Sequence, residues 1–174
     1  MIVADYIAQW LFERTPYAFG IIGAGNASLF DSIARLAKTE IVCCHHEQAA
    51  VMAAGAYWRT GGHAAVALVT TGGGSANAIT GVVSAWMDSI PILVISGNEE
   101  VKYCDKGWRG WGVQGIPSVE MVQKVTKMSV RIWSPRQVAR YLDEAYKVAF
   151  ADRPGPVWLD LPRDIQSQNV PNDT

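Results

Sequence analysis

Hydrophobic positions along the chain alternate between helical and strand spacing. Val3, Ile7, Trp10 and Leu11 fall on one helical face, and Thr15-Pro16 ends that helix before a short buried strand over residues 17–22. Gly23, Gly25 and Asn26 make a turn, Asn26 or Ser28 can cap a helix running to about Ala37, and residues 41–44 predict a second strand. Residues 47–58 are apolar almost all round (Ala49, Ala50, Val51, Met52, Ala53, Ala54, Ala56), as a helix buried on several sides must be, and Gly61-Gly62 ends it. Residues 64–69 form a continuous apolar run that suits a strand covered on both faces. A glycine loop over 70–75 leads to helical spacing over 76–86, and Pro91 precedes a strand over 92–96. Residues 97–117 show little periodicity. An irregular stretch of about twenty residues inside a compact domain is usually functional or ordered by a partner. Residues 118–127 and 135–150 predict helices and residues 129–132 and 157–161 strands, with Arg153-Pro154-Gly155-Pro156 as the last turn.

Six strands alternating with six helices imply an α/β domain: an open six-stranded parallel sheet with helices on both faces and right-handed crossovers. Residues 1–165 make up that domain, and the polar run from Asp164 predicts a C-terminal tail over 166–174. In such sheets ligands collect at the carboxyl ends of the strands. The loops at Gly23, at His46-Glu47, over residues 72–77 and from Gly97 onward are therefore the places where chemistry is expected.

Composition narrows the class. The 174 residues are 49% apolar and only 18% charged, with a net charge of -1, which excludes a disordered chain and a polybasic nucleic-acid binder. So few charges beside seven tryptophans imply that part of the surface meets another protein. Three cysteines, two of them adjacent, form no disulfide framework and show no metal-ligand spacing, which fits a reducing cytosol. The first thirty residues lack a basic segment followed by a long apolar run, and no 18-residue apolar stretch occurs, so a soluble, cytoplasmic protein is expected.

Two features can carry chemistry. Glu47 opens the alanine-rich helix directly after His45-His46. A first-turn carboxylate complements the helix dipole, which favours its charged form. Nearly uncharged neighbours over the next eleven residues work the other way by removing water, so the residue is a tunable acid. The loop Thr70-Thr71-Gly72-Gly73-Gly74-Ser75-Ala76-Asn77 has no lysine and matches neither a Walker loop nor the dinucleotide fingerprint. By itself it is either a tight strand-to-helix turn or a place where backbone closely approaches a flat ligand.

Taken together, His46-Glu47-Gln48-Ala49-Ala50, then Gly72-Gly73-Gly74-Ser75-Ala76-Asn77-Ala78-Ile79-Thr80-Gly81, then Ala85-Trp86-Met87-Asp88-Ser89-Ile90-Pro91, then Arg153-Pro154-Gly155-Pro156-Val157 resemble the pyrimidine-binding domain of thiamine diphosphate enzymes. The resemblance is to the acetolactate synthase and benzaldehyde lyase group in particular, and it runs from Phe19-Gly20 to Pro162-Arg163-Asp164. It implies the thiamine diphosphate-binding fold, with Glu47 as the catalytic residue that hydrogen-bonds a pyrimidine ring nitrogen and promotes the imino tautomer of the cofactor. By the same resemblance Gly23, Thr70, Gly73 and Asn77 lie near the aminopyrimidine and Gln114 faces the substrate. Ile22 and Gly73 stand where the synthases often have proline, which brings the loop nearer the benzaldehyde lyase pattern.

The diphosphate-binding domain of that family, with its Gly-Asp-Gly to Asn-Asn magnesium motif, has no counterpart in these 174 residues. The resemblance thus implies half a site, completed by a partner subunit that holds the diphosphate and Mg2+, in a twofold-symmetric heterotetramer or larger assembly. The implied activity is decarboxylation of a 2-oxo acid or cleavage of an acyloin, with transfer of the acyl carbanion equivalent to an acceptor. The alternatives are a two-subunit 2-oxo acid decarboxylase of the sulfopyruvate type, a noncatalytic scaffold or regulatory domain, and a domain excised from a longer chain.

The remaining candidates are assigned bland roles. His45 and His46 are expected to be strand-end polar residues, Cys43 and Cys44 core thiols, Asp88 a brace at a helix end, and Arg131, Arg136 and Arg140 a solvated face. Trp108, Arg109 and Trp111 are expected in a loop that a partner orders at the substrate entrance.

Overall fold

Alternation along the central strands divides the molecule into layers. In the computed structural model, which describes residues 1–36, 38–61 and 63–171, Val66 and Leu68 face one core while Ala65, Ala67 and Val69 face another. Six parallel strands carry this pattern: β1 (Tyr17–Gly20), β2 (Glu40–Cys43), β3 (Ala65–Val69), β4 (Ile92–Asn98), β5 (Met128–Arg131) and β6 (Val157–Pro162), in the order β2-β1-β3-β4-β6-β5. The open six-stranded parallel sheet expected from the sequence is the sheet observed.

Helices α1 (Val3–Phe12), α2 (Ala27–Leu36) and α6 (Val138–Phe150) cover one face, where Leu11, Leu29, Ile33 and Leu142 pack with Leu68, Leu93, Ile95 and Leu159. Helices α3 (Glu47–Gly61) and α4 (Gly73–Met87), together with the short α5 (Ser118–Val122), cover the other. Small residues let α3 and α4 approach closely: a Cβ on Gly81 would stand 2.7 Å from the Cβ of Val51. Asp88 braces the far end of this pair, accepting from Arg59 at 2.6 Å.

The structure differs from the hydrophobic pattern in four places. Helix α4 begins at Gly73, three residues earlier than predicted, because the glycines form its first turn, where close neighbours exclude a side chain at Gly74. Helix α5 stops at Val122, and the chain turns toward β5 as Lys127 donates its backbone N–H to Pro156 at 2.8 Å. A seventh helix, α7 (Arg163–Gln166), follows β6 directly, and buried Gln166 donates from Nε2 to the carbonyls of Gly25 (2.6 Å) and Leu161 (3.1 Å). Arg131 is not on a solvated face. It is 4% exposed, and its guanidinium reaches Asp160, Asp105 and Glu120 and stacks 4.4 Å from the Trp111 ring. Ala37 and Gly62, where helix ends are expected, and the last three residues of the tail lie outside the described residues.

One further side-chain expectation is corrected. Cys43 is exposed and Cys44 half-buried, because β2 is an edge strand whose flank is open; Cys104 is the buried thiol. The irregular segment after β4 is anchored from inside at two points. Asn98 donates to the Ile116 carbonyl (3.1 Å) and to Asp160 (2.9 Å), and Trp111 is buried while Trp108 is exposed.

A candidate cofactor site at the carboxyl ends of the strands

From β1 the chain moves outward to β2, and from β2 it returns across β1 to β3. The sheet order therefore reverses between β1 and β3, which opens a crevice beyond their carboxyl ends. The loops that follow the two strands meet there. Gly25 donates its N–H to Thr70 Oγ1 at 3.3 Å, and a Cβ on Gly23 would strike the Thr70 side chain. Asn26 locks the first loop, its Oδ1 accepting from Gly23 N–H (2.8 Å) and its Nδ2 donating to the Ile21 carbonyl (3.0 Å).

Glu47 enters this crevice from the first turn of α3 and is only 7% exposed. Asn77 Nδ2 donates to its Oε2 at 3.0 Å, whereas Oε1 takes no hydrogen bond from the described residues. His46 Nδ1 accepts from Gln48 N–H at 3.2 Å and so caps the start of the helix, which gives it a local structural role. Gly74 is required for the carboxylate to sit here: a Cβ at that position would lie 2.9 Å from Glu47 Oε1 and 2.7 Å from Thr70 Cγ2. At Gly73 the same construction meets nothing within 4 Å, so the backbone presents an open flank beside the carboxyl group.

Gln114 is exposed on the loop after β4 and donates from Nε2 to the Thr71 carbonyl at 3.4 Å. Its own carbonyl lies where a Cβ of Gly72 would be, and Gly72 has φ +68°, a conformation and a contact that only glycine accommodates. The structure therefore gathers Gly23, Glu47, Thr70, Gly73 and Asn77 around one crevice and sets Gln114 beside it, against Thr71-Gly72.

Pattern alone missed Glu99, Gln166 and the Arg131-Asp160 pair. Glu99 had a signal, since it follows immediately on the carboxyl end of a buried strand. Asp160 is wholly buried, and that burial pushes its carboxyl group up to about 6 against the opposing pull of Arg131 and Asn98. Arg131 Nε meets Asp160 Oδ2 at 2.5 Å. This pair and Asn98 form the floor under the loop that carries Gln114. Among the described residues no cluster of three or more His, Cys, Asp or Glu side chains has the arrangement of a metal site, and no helix is long and apolar enough to cross a membrane.

These residues fit one half of a heterocyclic cofactor site: a buried carboxyl group with one oxygen fixed and the other unfilled, beside a flank of backbone without side chains. Residues 1–121 match the thiamine pyrophosphate enzyme family, N-terminal TPP binding domain. The chain belongs to that family. Its relatives include the acetolactate synthase large subunit of Lactococcus lactis, 34% identical over 97 residues that make up 56% of this chain and 16% of that protein. The chloroplastic acetolactate synthase of Arabidopsis thaliana is 32% identical over 57% of this chain and 14% of its own length. A probable acetolactate synthase large subunit of Methanocaldococcus jannaschii is 30% identical over 56% of the chain and 16% of its own length. The match thus spans only about a sixth of the length of these relatives.

Proposed function

We propose that the chain is the pyrimidine-binding subunit of a split thiamine diphosphate-dependent enzyme that decarboxylates a 2-oxo acid or cleaves an acyloin and joins the acyl group to an acceptor, as acetolactate synthase-like carboligation requires. The observation that carries this is Glu47, buried, oriented by Asn77 through one oxygen and unfilled at the other. Thiamine diphosphate, when bound, supplies the electron sink for making and breaking the carbon–carbon bond. Glu47 Oε1 would hold a pyrimidine ring nitrogen and exchange a proton with it. Gly73 and Gly74 would admit the ring, Thr70 and Gly23 would define its edge, and Gln114 would face the substrate.

The diphosphate and Mg2+ would be held by a partner subunit, because the Gly-Asp-Gly to Asn-Asn magnesium motif has no counterpart in these 174 residues. Met52, Val83, Trp86 and Met87 leave apolar surface exposed along α3 and α4, as a face that meets such a partner should. A twofold-symmetric heteromer follows from this reading. A cytoplasmic location accords with three free cysteines.

The test is purification of the chain together with a co-expressed diphosphate-binding polypeptide, encoded beside it, and measurement of thiamine diphosphate and Mg2+ in the complex. The complex should retain both, and the chain alone should bind the cofactor poorly. With a 2-oxo acid as substrate, an aldehyde as sole product identifies a decarboxylase of the sulfopyruvate kind and a hydroxy ketone identifies a ligase. Absence of cofactor from a stable complex would refute the assignment.

A further inference from the structure

The carboxyl ends of β1, β3, β4 and β6 converge on one residue, Gly25, in the loop after β1. Its N–H donates to Thr70 Oγ1, just past β3, at 3.3 Å, and a Cβ on it would stand 1.9 Å from Thr71 Oγ1. Its carbonyl lies flush on the end of β4, where a Cβ on Gly97 would come within 2.1 Å of the oxygen. From beyond β6, Gln166 Nε2 donates to that same oxygen at 2.6 Å.

The Gln166 amide is held in one orientation. It is buried, and its second proton goes to the Leu161 carbonyl at 3.1 Å, so both donors are in use. Turning the amide over would set Oε1 against two carbonyl oxygens. In the orientation observed, Oε1 is buried and takes no hydrogen bond. A buried acceptor without a donor is unfavourable, and an apolar side chain of the same length would fill the space without one. What the position gains from glutamine is therefore its pair of donors. The element that carries them is itself tied down: Val3 N–H donates to the Gln168 carbonyl (2.9 Å) and Val170 N–H to that of Met1 (3.0 Å).

Thr70 carries this constraint into the crevice. With Oγ1 accepting from Gly25, one staggered χ1 rotamer is selected, since either of the others takes the acceptor away from that N–H. In this rotamer the methyl group faces the start of α4. A Cβ on Gly74 would meet both Thr70 Cγ2, at 2.7 Å, and Glu47 Oε1, at 2.9 Å, so the methyl group and the unfilled carboxyl oxygen border the same spot. A Cβ on Gly23 would meet Thr70 Oγ1 from the other side, at 2.4 Å.

We propose that Gln166, 141 positions from Gly25 along the chain, is a positioning residue of the candidate cofactor site: by holding the Gly25 carbonyl it fixes the Thr70 rotamer and the edge of the crevice beside Glu47. That the ligand is a cofactor heterocycle rests on the functional reading above. The coupling of Gln166 to Thr70 stands without it.

The test is Gln166→Met, which removes both donors at nearly constant length. In NMR of the full chain, the Gly25 and Thr70 amides should shift, and the couplings that report χ1 of Thr70 should change from one rotamer to an average. The amides of Ser84 and Asp88, at the far end of α4, should stay in place. In the complex with the diphosphate-binding polypeptide, the thiamine diphosphate concentration for half-maximal activity should rise about tenfold, as loss of a buried hydrogen bond implies. The kcat at saturating cofactor should stay within about threefold, because Glu47 and Asn77 are untouched. Val138→Ala, in the buried face of α6, is the control: it should lower stability without moving the cofactor constant. In the unaltered chain, the Gln166 side-chain amide protons should exchange about tenfold or more slowly than those of exposed Gln123.

A folded Gln166→Met chain with Thr70 still in one rotamer would overturn the proposal. So would an unchanged cofactor constant in a loaded complex, or a shift in that constant equal to the shift in Val138→Ala. Should Gln166→Met not fold, exchange decides on the unaltered chain, and Gln166 protons as fast as those of Gln123 overturn it. A complex of the unaltered chain that holds no thiamine diphosphate refutes the functional reading instead, and the Thr70 couplings still decide whether Gln166 sets that rotamer.

Discussion

Asn77 and Glu47 join the second turn of α4 to the first turn of α3, two helices that begin 26 positions apart, with Nδ2 donating to Oε2 at 3.0 Å. Asn77 is exposed on one side, while the carboxyl group it holds is buried. The bond selects which Glu47 oxygen remains unfilled, and it ties the orientation of that oxygen to the packing of α3 on α4.

From this geometry, Glu47→Gln should lower turnover of the reconstituted complex by about 10²- to 10⁴-fold, the range general acid–base groups supply. Asn77→Leu should lower kcat by a smaller factor, about tenfold to a hundredfold, since the carboxyl group stays but loses its fixed partner. Thermal unfolding of both variants should remain close to that of the unaltered chain. Full activity of the glutamine variant in a cofactor-loaded complex would exclude Glu47 from the reaction.

Gly73 and Gly74 are adjacent but should respond oppositely to alanine. At 73 a Cβ meets nothing within 4 Å, so Gly73→Ala should stabilise the chain by about 0.5–1 kcal/mol through helix propensity. It should weaken cofactor binding to the complex, because the flank is no longer bare. At 74 the added carbon meets Glu47 and Thr70 below 3 Å, and Gly74→Ala should cost about 1–3 kcal/mol. Urea denaturation of the two variants gives the comparison, and equal shifts would contradict the geometry.

Arg131→Met leaves Asp160 buried without its cation, and loss of one partner of such a pair costs about 3–5 kcal/mol. The effect depends on pH in a set direction. Asp160 holds its proton up to about pH 6 in the folded chain, against an ordinary value of 3.8, with burial as the main cause. A folded-state value above the unfolded one means that its stabilising contribution is complete below about pH 4, declines as the pH rises to about 6, and is flat above. Without Arg131 the decline should steepen and extend to higher pH. Urea midpoints between pH 4 and pH 8 measure this, and an Arg131→Met chain that gains stability with rising pH would reverse the sign.

Thiol labelling distinguishes the cysteines. Cys104 is 2% exposed and burial pushes its thiol up to about 12, so it stays protonated and out of reach at neutral pH. Cys43 is exposed, and desolvation raises its half-buried neighbour Cys44 above the ordinary thiol value. A maleimide at pH 7.5 should modify Cys43 first and Cys44 more slowly, with Cys104 reacting only in denaturant. Rapid modification of Cys104 in the folded chain would place the segment after β4 in a more open state than the one described.

Local pattern made the sheet and most helices legible, because continuous apolar runs such as Ala65–Val69 and amphipathic spacing such as that of Val3, Ile7, Trp10 and Leu11 are set by which faces must leave water. Glu47 and the glycine loop were visible for the same reason: a lone carboxylate heading an apolar helix and a glycine run after a strand both break a pattern. Arg131 and Asp160 were not visible. A charge on a short strand looks solvated until the opposite charge from a neighbouring strand is placed against it, and β5 and β6 are 29 residues apart at that pair.

The chain's own order of residues determined the layered α/β architecture, the family and the candidate carboxylate, since these follow from periodicity and from motifs contiguous in sequence. Tertiary structure decided which Glu47 oxygen is free, why Gly74 and Gly81 admit no side chain, and that Gln166 folds back onto Gly25. Those facts are distances between segments far apart along the backbone. Close packing sets such distances, and hydrophobic pattern carries no record of them.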